Sequence, residues 1–208
     1  MLLTEIKRAP IKSKTTEQVF DPADFPDRFE PIGSGVGSGL QDSRIYLDKQ
    51  HPSRVVKVVD IMDTSDSYLV YIRMVEAHQN NPFFPRIYGY KVYDRDTHYK
   101  LVVFMEKLVP LNKLDEDVAA QILSSIGIEY VGSFTYDHSL AKIMKDPKYR
   151  EQLKQSTRYP KFKEALRLLE PLFKKYIGDL HIENLMVRLT SVGPQIVITD
   201  PLFPANLY

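Results

Sequence analysis

The sequence predicts an α+β fold, with strands gathered in its first half and helices in its second. Three observations carry this reading. Up to Leu108 the apolar residues come in short β-branched or aromatic runs bounded by Gly, Pro, Asp and Asn. Beyond Leu114 they recur at three- and four-residue spacing. No internal repeat or low-complexity tract interrupts that division, and 208 residues suit one domain or two small lobes sharing an interface.

The elements follow in order. Residues 29–32, 45–47, 54–59, 87–93 and 100–105 read as strands. One helix interrupts them over 64–78, where Leu69, Ile72, Val75 and Glu76 fall at helical spacing. Asp63, Thr64 and Asp66 are its start signals and Asn80-Asn81-Pro82 its stop. Past a divide at 108–113, Val118, Ala119, Ile122, Leu123 and Ile126 make one helical stripe. Phe162, Ala165, Leu166, Leu169, Leu172, Phe173 and Tyr176 make a longer one, which Pro171 is expected to kink or split. Residues 185–189 and 196–198 close the chain as two short strands around the turn Ser191-Val192-Gly193-Pro194.

Composition narrows the function. An apolar fraction of 43% with 26% charged residues is that of an ordinary globular protein. A formal net charge of +1 leaves no polyanion-binding footprint, so nucleic acid is not expected as a direct ligand. Without cysteine there is no disulfide, thiolate metal site or cysteine nucleophile. No apolar run approaches the ~20 residues of a membrane span, so no membrane partner is expected. Residues 1–14 mix Glu5, Lys7, Arg8, Lys12 and Lys14 without a signal-peptide core, and a reducing cytoplasm is the expected compartment.

The chemistry concentrates in Asp179-Leu180-His181-Ile182-Glu183-Asn184 and in Ile198-Thr199-Asp200. An Asp five positions before an Asn, then a second Asp ending an apolar strand, is the polar core of kinase-type phosphoryl transfer. There the first Asp orients the attacking hydroxyl, and the Asn and second Asp hold Mg²⁺. The hard oxygen donors suit Mg²⁺ or Mn²⁺ and not zinc. Upstream, Ile32-Gly33-Ser34-Gly35-Val36-Gly37-Ser38-Gly39 lies between two predicted strands. Its glycines permit positive φ and close approach to a ligand, and its amides could cradle phosphate. No helix follows, as a dinucleotide fold needs, and no Gly-Lys-Ser/Thr closes a P-loop. Lys57 sits inside Val55-Val56-Lys57-Val58-Val59, where a buried ammonium needs an anion. Glu76, on the apolar stripe of the first helix, is the expected partner; the alternative is an edge strand with Lys57 facing solvent and Glu76 at the border of the stripe. His181-Ile182-Glu183 has no second His at i+4 for a zinc site. Ser133 and Ser139, near Asp137 and His138, lack a nucleophile elbow.

On these motifs the chain resembles an abbreviated member of the protein-kinase-like superfamily from about Phe29 to Pro201, and within it the early Ser/Thr protein kinases of T-odd podophages. The resemblance implies a bilobal fold: an N-terminal arm over 1–28, an antiparallel β N-lobe with one helix over 29–108, and a small, mainly helical C-lobe over 109–208. It implies that Gly33, Gly35 and Gly37 cover the phosphates of ATP, with Ile32 as the apolar roof of the adenine and Val55 beside it among the nucleotide-binding residues. Lys57 matches the lysine on the α/β-phosphates and Glu76 its helix partner, at a separation of 76 − 57 = 19 residues. Phe104-Met105-Glu106-Lys107-Leu108 matches the hinge, with backbone groups of Glu106 and Leu108 toward the adenine edge. Asp179 matches the catalytic Asp, and Asn184 and Asp200 the metal ligands.

The departures carry information too. Ile177-Gly178 replaces His-Arg, and Gly178-Asp179-Leu180-His181 is also similar to aminoglycoside- and choline-type phosphotransferases. Pro201-Leu202 replaces Phe-Gly, and 208 − 200 = 8 residues after Asp200 leave no room for an activation segment. Acceptor recognition is then expected from residues 127–160, the N-terminal arm or a second chain, either a homodimer mate or a partner completing the second lobe. The expected activity is Mg-ATP-dependent Ser/Thr phosphorylation of host cytoplasmic proteins, by family resemblance those of transcription and translation, and of the chain itself. A small-molecule phosphotransferase and a catalytically silent kinase-shaped binding protein are the alternatives.

Overall fold

The structure, a computed structural model, describes residues 19–36, 42–95, 98–128, 136–180 and 184–203. The chain is mixed α+β. Its first part builds a five-stranded antiparallel sheet from β1 (Phe29–Val36), β2 (Asp42–Asp48), β3 (Arg54–Ile61), β4 (Ile87–Arg95) and β5 (His98–Glu106), in the order β1-β2-β3-β5-β4. Between β3 and β4 runs α1 (Ser67–Ala77). The Asp66 side chain accepts the Tyr68 amide at 2.8 Å and so satisfies one of the donors that a helix start leaves open.

β3 lies between β2 and β5, so Lys57 is paired on both sides, opposite Ile45 and Val103. It is not on an edge strand. Lys57 shares a face with Val55, Val59 and Ile61, which join the main core together with Leu69, Tyr71, Ile72 and Val75 of α1. Val56 and Val58 point to the other face, where Phe29, Tyr46 and Val102 form a second cluster covered by Phe20.

The later part carries β6 (Val109–Pro110), α2 (Glu116–Ser125), α3 (Tyr136–Lys145), α4 (Pro147–Ser156), α5 (Pro160–Lys175), β7 (Ile177–Gly178), β8 (Leu185–Thr190), β9 (Gly193–Ile198) and β10 (Leu202–Phe203). β6, β8 and β9 make a small antiparallel sheet, and β7 pairs with β10. The main core is continuous from the large sheet through Leu123, Leu140, Phe162 and Leu166 to Val187 and Ile198.

Several sequence expectations change. Gly33 and Gly35 are not in a loop: both belong to β1, opposite Ile45 and Ser43, after an irregularity in register between Pro31 and Gly33. Gly33 does not use positive φ, which among the described glycines occurs at Gly89, Gly127 and Gly193. Gly37 lies outside the described residues. Pro171 does not split α5, which runs unbroken past it. Pro171 and Arg167 both face solvent, so the carbonyl deprived of its donor can be satisfied by water. Val118 is half exposed and falls off the buried stripe of α2. The final turn is also tighter than expected, because Thr190 already pairs with Gly193 and only Ser191 and Val192 connect the strands.

Candidate active site

A cavity of about 320 Å³ opens between the two larger sheets. Ile32, Val55, Met105 and Met186 give it apolar walls, and Glu106, Lys107 and Leu108 line one rim. Gly33 also lines it, and a Cβ placed there would meet nothing within 4 Å. The protein's own packing therefore does not require glycine at that point.

At the other end lies a polar cluster. The Lys57 ammonium donates to Asp200 Oδ2 at 2.8 Å and stands 4.1 Å from the centre of the Tyr68 ring. Burial works against the lysine's charge, but Asp200 more than offsets it, and the Lys57 pKa lies above its ordinary value. Lys57 is thus a cation at any physiological pH.

Short-range pairing brings Asp179 to Asp200. β7 ends at Gly178 and β10 begins at Leu202, so the two acids occupy adjacent ends of one ladder. The Asp179 amide donates to the Pro201 carbonyl at 2.8 Å. Asn184 closes the group: its Nδ2 is 2.5 Å from the Asp179 carbonyl and 3.4 Å from Asp179 Oδ2, while its own carbonyl accepts the Thr199 amide at 3.1 Å. The Tyr71 hydroxyl donates to the Ile198 carbonyl, and the Ile198 amide donates to Phe83, which anchors the strand leading to Asp200. Two carboxylates and one amide, with a cation beside them, offer hard oxygen donors. Among the described residues there is no cluster of three His, Cys, Asp or Glu to hold a metal alone. A divalent ion here would draw on phosphate oxygens and water for the rest of its coordination, as Mg²⁺ commonly does.

Glu76 is a correction. It is exposed in the last turn of α1 and does not reach Lys57. Lys57 meets the first turn of that helix at Tyr68, and Glu76 lies 76 − 68 = 8 residues further, about 12 Å along the axis. Asp200 supplies the anion instead. His181 and Glu183 lie outside the described residues.

The rim has support that the sequence reading missed. The Glu106 carboxylate is buried and ion-paired with Arg188 of β8, whose Nε donates to Glu106 Oε2 at 2.9 Å. Arg188 also donates to the carbonyls of Pro82 at 2.6 Å and Phe84 at 3.0 Å. The Glu106 amide is engaged with Arg86, so its carbonyl is the group that could meet a ligand edge. Arg188 was legible in principle: a cation inside Leu185-Met186-Val187-Arg188-Leu189 is the same oddity as Lys57. Tyr68 had no comparable signal, since an aromatic residue in a helix facing a sheet is ordinary core.

No protein-family model matches the chain, and no curated protein matches it.

Proposed function

We propose that the chain is an Mg-ATP-dependent protein kinase with a bilobal kinase-like fold, transferring the γ-phosphoryl group of ATP to Ser or Thr hydroxyls of other proteins. The observation that carries this reading is the convergence of Asp179, Asn184, Asp200 and Lys57 at one end of an apolar cleft whose lining includes Glu106, Lys107 and Leu108. The cleft volume suits a small planar ligand such as adenine. Gly33 leaves space above it without being needed by local packing.

In this reading Ile32, Val55, Met105 and Met186 enclose the base, and the Glu106 carbonyl and Leu108 backbone meet its polar edge. Lys57 exchanges its contact with Asp200 for the phosphate oxygens. Asn184 and Asp200 hold the Mg²⁺, which when bound neutralises charge on the phosphates and aligns them. Asp179 accepts the proton of the acceptor hydroxyl as its oxygen attacks phosphorus and the bond to the β-phosphate oxygen breaks. Asn184 keeps Asp179 and Asp200 in register by bonding the backbone of one segment and receiving the amide of the other. The resemblance adds bacterial host proteins as the expected acceptors.

The deciding experiment is transfer of radiolabelled phosphate from ATP into lysate proteins, with Asp179→Asn and Asp200→Ala compared with wild type. Asp200 is the charged member of the metal pair, and its loss should lower transfer by roughly two orders of magnitude or more, as for a group needed in the transition state. Equal transfer by wild type and Asp200→Ala, or undiminished transfer in EDTA, would overturn the reading.

A further inference from the structure

We propose that the hydroxyl of Tyr68 is a phosphate-binding group, donating a hydrogen bond to the phosphate chain of the bound nucleotide alongside Lys57. The inference rests on the nucleotide reading of the cleft and deepens it by naming a residue that neither the motif nor its spacing singles out.

Tyr68 is 3% exposed and belongs to the wall of the cavity. Its ring lies beside the Lys57 ammonium, at the polar end where Asp200 also sits. Its hydroxyl is buried beside the Lys57 ammonium, itself a donor, and its own O–H has no acceptor among the described residues. Buried hydroxyls without partners are rare because they lose their bonds to water and gain none. The same helix offers a comparison. Tyr71, one turn on and equally buried, spends its hydroxyl on the Ile198 carbonyl and so has a purely structural use for it. Tyr68 has no such use.

The donor inventory says what kind of group is wanted. Lys57 and Tyr68 together carry four donor hydrogens, and among the described residues the carboxylate bonded to them is Asp200, with Asp179 standing further along the same cluster. The surplus is of donors, so the complement is an anion rich in acceptor oxygens, and a nucleoside di- or triphosphate is one. Burial, opposed by Lys57, pushes the Tyr68 pKa up to about 12, so the phenol keeps its proton at working pH and meets a phosphate as a donor. The position also accounts for the displaced Glu76. The helix turn facing Lys57 carries an aromatic donor where the resemblance expects a carboxylate, and the lysine's counter-charge comes from Asp200.

Tyr68→Phe tests this, because it removes one oxygen and keeps the ring against Lys57. Binding of Mg-ATP and of adenosine is measured by titration calorimetry for both proteins, with thermal melting as the check on folding. The expected result is adenosine bound equally by the two, and ATP bound about tenfold more weakly by Tyr68→Phe, the scale of a lost hydrogen bond to a charged acceptor. In steady-state kinetics the KM for ATP should rise with kcat nearly unchanged, as for binding lost equally in ground and transition states. Equal ATP affinity in the two proteins overturns the role of the hydroxyl and leaves the nucleotide reading standing. A parallel loss of ATP and adenosine also overturns it, since that would assign the hydroxyl to the shape of the cleft. A folded wild-type protein that binds neither ligand overturns both the proposal and the reading beneath it.

Discussion

Gly178 shows how tightly one residue can be tied to the proposed site beside it. A Cβ at this position would fall 2.5 Å from Met144 Sδ and 2.7 Å from Met144 Cβ. Met144 is held in place in turn, since its sulfur accepts the Leu180 amide at 2.7 Å. Glycine is therefore required here by close approach, and what it protects is the position of Asp179, the next residue. Gly178→Ala should lower the unfolding free energy by about 1–3 kcal/mol, the usual scale of overpacking, and, on the proposed kinase reading, depress phosphate transfer as Asp179 shifts. Adding Met144→Ala should not restore either quantity, because the clashing Cβ of residue 144 remains. Thermal melting and labelled-phosphate assays on the single and double variants check this, and a rescue by Met144→Ala would contradict the geometry.

Among the elements, β8 does more than complete a small sheet. Its Arg188 joins the Glu106 carboxylate at the end of β5 to the carbonyls of Pro82 and Phe84, and the neighbouring Phe83 carbonyl receives the Ile198 amide of β9. One guanidinium thus ties the rim of the cleft to the strands that deliver Asn184 and Asp200. Both side chains are largely withdrawn from water, with 13% and 9% exposure for Arg188 and Glu106. Removing one partner of such a pair strands the other charge, at about 3–5 kcal/mol, whereas replacing both with apolar residues is often nearly neutral. The double variant also strips the Pro82 and Phe84 carbonyls and the Arg86 amide of their side-chain partners, so Arg188→Leu combined with Glu106→Leu should destabilise, but by less than the sum of the two single variants. Urea denaturation of the three proteins measures it. If the double variant is the less stable by the sum of the two single effects, the pair is not coupled as described.

The whole molecule rests on a core that is continuous from the large sheet to the helices, and on a second apolar cluster on the opposite face of that sheet. The segment leading into β1 closes that second face. Phe20 stacks on Phe25 and meets Phe29 and Phe104, and Asp21 binds the nearly buried Lys100 at 2.8 Å. Arg28 grips Asp48 through both carboxylate oxygens, at 3.1 and 3.0 Å. That hydrogen bonding, opposed by burial, holds the Asp48 carboxyl below its usual 3.8. A depressed folded-state pKa gives stability that is present above the unfolded value and lost as pH falls through the folded one. Arg28 is 37% exposed, so the contribution is about 1 kcal/mol at most. Asp48→Asn should be less stable than wild type near neutral pH, with the gap closing below pH 3.8 as the wild-type carboxyl protonates. Urea midpoints measured across that range test it, and a gap that widens in acid would reverse the sign argued here.

Sequence alone determined the strands of the large sheet and the main helices, because alternation and helical spacing are local records of which face is buried. It also picked out Asp179, Asn184, Asp200 and Lys57, since polar groups at those spacings and in apolar surroundings have few other uses. The helices α3 and α4 were not legible: their stripes are broken by charge, as in Asp146-Pro147-Lys148-Tyr149-Arg150, and only packing reveals which side is buried. The tertiary structure decided the partner of Lys57. Helical periodicity placed Glu76 on the right stripe but could not say which turn of α1 faces β3, a matter of how far the helix slides along the sheet. The first turn of α1 brings Tyr68 to the lysine, and Asp200 arrives from the segment between β9 and β10. This packing also leaves the Tyr68 O–H without an acceptor among the described residues, and no pattern of residues along the chain records that.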